Sequence, residues 1–100
     1  MRSLTRSLLL ALALTTGAWV PVQAQTFEQS RAAYERKNYR TAFAGFQKLA
    51  EQGNANAQDS LGWMYANGQG VPKDDQQAVA WYHKAAEQGV ARAQFILGVR

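Results

Sequence analysis

Residues 48–62 read KLAEQGNANAQDSLG, and 36 residues later residues 84–98 read KAAEQGVARAQFILG. Ten of the fifteen aligned positions are identical, where chance would match roughly one. A repeat of this period marks a stacked architecture, in which each unit needs its neighbours to bury its apolar face. Such stacks present surfaces for binding more often than pockets for chemistry.

Outward from this repeat the signals are helical. Residues 27–37, FEQSRAAYERK, place Phe27 and Tyr34 seven apart on one stripe, with Asn38 as the breaker. A second helix is expected over residues 40–52, where Ala42, Gly45, Phe46 and Leu49 fall at i, i+3, i+4 and i+7. Gly53 stands where a left-handed residue would end it. The third helix, residues 55–66, carries the stripe Ala57, Leu61, Met64 and Tyr65. Residues 67–74, NGQGVPKD, read as a loop, and Asp74 or Asp75 can cap the next helix. That helix presents Ala78, Trp81, Tyr82 and Ala85, the repeat equivalents of the second helix's stripe. Gly89 ends it, and a last helix starts near Ala91. No segment alternates with period two, so the class is all-α: antiparallel helix pairs stacked as a short α-solenoid.

The N-terminus reads differently. Arg2 and Arg6 precede the apolar run Leu8–Leu14, and Val22-Gln23-Ala24 carries the small residues read by a signal peptidase. Residues 1–24 are therefore expected to be a cleaved signal peptide, and the exported product is expected to begin at Gln25 and reach the periplasm or medium as a soluble chain. The run is too short to span a bilayer, which takes about 20 residues. An uncleaved anchor stays open as the alternative. Removing Arg2 and Arg6 lowers the net charge from +4 to +2, and the remaining Lys and Arg are scattered, so nucleic-acid binding has little support. No cysteine is present, which excludes disulfides, thiol chemistry and lipidation of a mature N-terminal Cys.

The residues Ala57-Gln58, Leu61-Gly62, Met64-Tyr65, Gly68-Gln69-Gly70-Val71-Pro72, Asp74, Ala78, Trp81-Tyr82, Lys84-Ala85-Ala86 and Gly89 resemble, in order, one whole unit of the Sel-one-like repeat family, a relative of the tetratricopeptide repeats. On this resemblance residues 25–53 form a tetratricopeptide-like first helix pair and residues 54–89 a Sel-one-like repeat. Residues 90–100 supply the first helix of a further, incomplete repeat, which implies either a truncated member or a capping helix. Physical reasons can be given for the motif. Gly62 and the alanines let helices approach closely, Gly68 and Gly70 permit positive φ, and Pro72 fixes the loop's exit.

Catalytic inventory is poor. The one histidine, His83, has Glu87 one turn on, yet a catalytic zinc needs a third ligand, and no Ser-x-x-Lys occurs. Asp74-Asp75 lacks the other oxygens of a calcium loop and reads as a cap. Neither a metal nor another cofactor is expected. Asn56, Asp59, Ser60, Trp63 and Asn67 fall on the third helix opposite its core stripe. They are the candidate partner-binding residues, with Trp63 either an exposed anchor or packed against a neighbouring unit. Phe95, Ile96 and Val99 make the last helix apolar, a candidate edge for end-to-end self-association. The resemblance implies a non-enzymatic adaptor that binds a protein or peptide. Alternatives are a small cell-envelope hydrolase, as proposed for cysteine-rich relatives, and a remnant of a longer array.

Overall fold

The computed structural model describes residues 26–98. The proposed signal peptide and Val99 lie outside these residues. Five helices follow in chain order: α1 Phe27–Glu35, α2 Tyr39–Glu51, α3 Ala55–Asn67, α4 Asp75–Glu87 and α5 Ala91–Leu97. Each packs chiefly against its neighbours in the chain, α1 on α2, α2 on α3, α3 on α4 and α4 on α5. The result is an all-α solenoid of helix pairs.

The helix ends show how local chemistry sets the boundaries. Thr26 and Gln29 form a capping box, each side chain accepting from the other's backbone N–H at 3.1 and 2.9 Å. α1 stops at Glu35, two residues earlier than its sequence pattern suggests. Lys37 adopts φ +64, and Asn38 turns to cap α2, accepting from the Thr41 N–H at 3.5 Å. α2 then closes in a left-handed turn at Gly53, whose N–H donates to the Ala50 carbonyl while Asn54 donates to Leu49, both at 3.0 Å. Gly89 and Val90 repeat this arrangement on Ala86 and Ala85 at the end of α4. Asp74, not Asp75, caps α4, its carboxylate accepting from Gln77 at 3.1 Å.

The loop between α3 and α4 is held at both ends. Gly68 and Gly70 have φ +63 and +75, and the Asp74 N–H donates to the Tyr65 carbonyl. Gly70 lies so close to α2 that a Cβ there would sit 2.5 Å from the Tyr39 carbonyl oxygen. The loop is thus built against the preceding pair as well as onto its own helices.

Two apolar clusters run along the stack. Ala33, Ala42, Phe46, Ala50, Ala57, Leu61 and Met64 form the first, and Ala78, Tyr82, Ala85 and Ala93 the second. Tyr65 packs against both. Alanines at these crossings bring the helices close, and the few large side chains fill the remaining space. Gly62 shows this most clearly, since a Cβ there would lie 2.9 Å from the Tyr82 ring. Trp81 is only half-buried and leans on the first cluster, with the Lys84 ammonium 5.9 Å from its ring centre.

Candidate functional site

A polar and aromatic chain crosses three of the helices. Trp63 on α3 donates its indole N–H to the Tyr34 hydroxyl of α1 at 2.9 Å. That hydroxyl donates in turn to the side-chain carbonyl of Gln69, in the glycine loop, at 3.0 Å. On the other side of Trp63, the Arg92 guanidinium of α5 lies 5.1 Å from the ring centre, within cation–π range. Asp59 holds Arg92 there, accepting from Nε at 2.8 Å and pairing with Nη2 at 2.6 Å.

These contacts border a cleft of about 280 Å³. Buried Phe46 and half-buried Phe27 form its base, their rings 5.3 Å apart. Tyr34, Ser60 and Trp63 line the sides, and Arg31 and Arg92 line it from α1 and α5. Arg31 is clamped within its own helix by Glu28 and Glu35, at 3.1 and 2.6 Å. Its guanidinium is held charged first by the hydrogen bond to Glu28, then by the two carboxylate charges. Four of its seven lining residues are aromatic and Arg31, Ser60 and Arg92 are polar, a mix common in concave binding sites.

The five binding candidates fare differently. Ser60 and Trp63 line the cleft. Trp63 is 38% exposed and at the same time bonded to α1 and stacked under α5. Asn67 is exposed, but its amide folds back onto the Trp63 carbonyl at 2.8 Å. Asn56 is exposed and does not line the cleft. Asp59 departs from the expected polar surface position: it is 8% exposed, covered because α5 stacks there and delivers Arg92 onto it. Its second oxygen, Oδ1, is buried without a hydrogen-bond partner among the described residues. Asp59 thus holds the Arg92 guanidinium in place and is itself largely withdrawn from solvent. Gln69, in the loop expected over residues 67–74, reaches out of it to accept from the Tyr34 hydroxyl.

Phe95 is 84% exposed and Ile96 42%, both on α5. Among the described residues no group of three or more His, Cys, Asp or Glu could hold a metal ion, and His83 is exposed. No described helix is long and apolar enough to cross a membrane.

Five cleft residues escape a reading of the sequence alone: Phe27, Arg31, Tyr34, Phe46 and Arg92. The aromatics carry the same signal as core residues, and their distance from Trp63 in sequence hides the contact. Arg92 alone leaves a trace, since it replaces Asn56 at the equivalent repeat position.

Antiparallel helix pairs stacked in chain order define an α-solenoid repeat protein. The Sel1 repeat model matches residues 30–54 and 55–90, and the chain belongs to the Sel1 repeat family. Sel1 repeats mediate protein–protein interaction. Among solved structures the chain is similar to a Sel1 repeat protein from Oxalobacter formigenes, at 52% identity and a TM-score of 0.58. That match covers 60% of this chain and 17% of the Oxalobacter protein, so the chain spans only a small part of its length. No curated protein matches the chain.

Proposed function

We propose that this chain is an exported adaptor, working in the periplasm or outside the cell without turnover of its own. It binds a protein or peptide segment in the cleft between α1, α3 and α5. The observation that carries this reading is Trp63, a half-exposed indole oriented by Tyr34 and Arg92 at the side of an aromatic-based cleft. Buried or half-buried tryptophans of this kind supply much of the binding energy at protein interfaces. Screening a displayed peptide library against the chain should select segments with a large apolar residue, and Trp63→Ala should weaken them about tenfold or more. Unchanged binding to Trp63→Ala would place the partner surface elsewhere.

Export rests on the basic, apolar and Val-Gln-Ala pattern of residues 2–24. Protein recovered from the cell envelope should begin at Gln25, and retention of Met1 in a membrane pellet would exclude a soluble product. Phe95 and Ile96 support a second contact, end-to-end association of two copies through α5. Analytical ultracentrifugation should show concentration-dependent association that Ile96→Glu removes and Trp63→Ala spares. A strictly monomeric parent would exclude this contact.

A further inference from the structure

The aromatic donors of the cleft are spent within the protein. The Trp63 indole N–H goes to Tyr34, and the Tyr34 hydroxyl goes to Gln69. The other polar residues of the lining are Arg31, Ser60 and Arg92, and no Asp or Glu stands among them. Such a lining calls for an acceptor. The two guanidiniums are not equivalent. Arg31 is engaged at all three nitrogens, Nε and Nη2 by Glu28 and Nη1 by Glu35. Arg92 is engaged along one edge only, where Asp59 Oδ2 meets Nε and Nη2, so three of its five N–H groups have no partner among the described residues. Asp59 is largely withdrawn from solvent while the Arg92 side chain is 47% exposed, so the pair turns its cation outward. Stacking on Trp63 and pairing with Asp59 fix the guanidinium before any ligand arrives, which lowers the ordering cost of binding.

We infer that the cleft takes the C-terminal residue of a partner chain, its free carboxylate on Arg92 and its large apolar side chain over Phe27 and Phe46. The inference rests on the cleft being the binding surface proposed above. A carboxylate is the acceptor that matches an open guanidinium edge, through two parallel N–H···O bonds. The size of the cleft decides where that carboxylate comes from. A volume of about 280 Å³ is at the small end for a ligand site and suits one large residue. A C-terminal residue carries carboxylate and side chain on a single Cα, so both reach the cleft together. An internal Asp or Glu would need a second residue to supply the apolar contact. Arg31 adds a further positive charge to the lining, muted by its two glutamates. Charge complementarity of this type sets specificity and orientation more than total affinity.

Fluorescence anisotropy with peptides dye-labelled at the amino end tests this. The panel is Gly-Ser-Gly-Ser-Phe as the free acid, the same peptide amidated, Gly-Ser-Gly-Ser-Ala as the free acid, and amidated Gly-Phe-Asp-Ser-Gly. The first should bind about tenfold tighter than its amide, and the difference should shrink in high salt, where exposed charges are screened. The double variant Asp59→Asn, Arg92→Gln exchanges the ion pair for two amides and strands no buried charge. It should bind the acid and the amide alike. Arg92→Lys keeps the charge without the planar edge and should lose most of the preference, which gives a second reading should the double variant fail to fold. Phenylalanine-dependent binding that ignores amidation in the parent, or a preference for the acid that survives both variants, would overturn this inference and leave the cleft reading standing. The internal Phe-Asp peptide binding as tightly as the free acid would do the same. Equal binding of the Phe and Ala acids, or none by any peptide, would overturn the cleft reading and this inference with it.

Discussion

The junction of α2 with α3 and the junction of α4 with α5 are copies made from nearly the same sequence. In the first, Gln58 donates its amide to the Ala50 carbonyl at 3.2 Å, and in the second, Gln94 donates to Ala86 at 3.0 Å. Gly53 and Gly89 take φ +97 and +95 in matching left-handed turns. What differs is the company each junction keeps. The first is covered by α4 and α5, so Gln58 is buried, its amide carbonyl accepts from Gln88 at 2.9 Å, and Asp59 is closed over by Arg92. At the second, the repeat equivalent of Asp59 is Phe95, which is 84% exposed. The residues that the two junctions share therefore make the same glycine turn and the same glutamine-to-carbonyl bond, while burial and its energetics belong to the neighbours.

The largest test of this contrast is a pair of glycine substitutions. Gly62→Leu would drive a side chain into the Tyr82 ring and should cost about 3 kcal/mol by overpacking. Gly98, its repeat equivalent, has φ +75 and open space around it, so Gly98→Leu should cost only the left-handed backbone penalty, about 1 kcal/mol. Urea unfolding followed by circular dichroism compares them, and equal costs would mean that the two glycines share one role after all.

Next come the paired glutamines. Gln58→Leu removes one of two hydrogen bonds to the Ala50 carbonyl, which keeps the bond from Gly53, and also frees the Gln88 amide, at a cost of about 1.5 kcal/mol, whereas Gln94→Leu at the less buried junction should cost about 0.5 kcal/mol. Reversal of that order in thermal melts would show that burial does not separate the two junctions.

Tyr82 and Phe46 occupy equivalent places on α4 and α2, and only the tyrosine titrates. Burial pushes the Tyr82 hydroxyl up to about 12, with smaller opposing influences from Arg92 and Asp59. An unfolded chain releases that proton near pH 10. Below pH 10 the contribution is constant; as the pH rises from about 10 to about 12, the unfolded state loses its proton first and folding stability falls. Tyr82→Phe should make α4 resemble α2 and flatten this part of the stability profile, measured as melting temperature against pH. A slope in that range unchanged by the substitution would assign it to other groups.

The smallest effect is expected at α5. Phe95→Asp places the α3 residue at the exposed copy of its position and should shift stability by less than about 0.5 kcal/mol. A loss of several times that amount would show that Phe95 is packed in solution.

Much of the fold is legible in the residues alone. The periodic stripes name Ala42, Phe46, Ala57, Leu61, Met64, Ala78, Tyr82 and Ala85, all of which are buried. The helix start at Asp74 and the stops at Gly53 and Gly89 follow from capping chemistry that acts within a few residues. Departures gather where a side chain has two local options. Lys37 enters the left-handed region without being glycine, and Asn38 caps the following helix instead of merely ending the preceding one. The candidate site is legible only in part. Trp63 and Ser60 stand out because they lie opposite the apolar stripe of their helix, while Phe27, Tyr34 and Phe46 are hidden because a cleft-lining aromatic and a core aromatic carry the same periodic signal.

By itself, the sequence determined the helices, their ends and the stacking of pairs, together with the close approach at Gly62, because these depend on propensity, capping and volume over one or two turns. Only the tertiary structure decided that Asp59 is buried and Arg92 exposed, that Tyr34 orients Trp63, and that Arg31 and Arg92 line the same cleft. Those relations join residues 29 and 33 positions apart on different helices, so no local pattern encodes them. They arise when stacking places one helix over another and so selects which polar groups lose their water and which keep it.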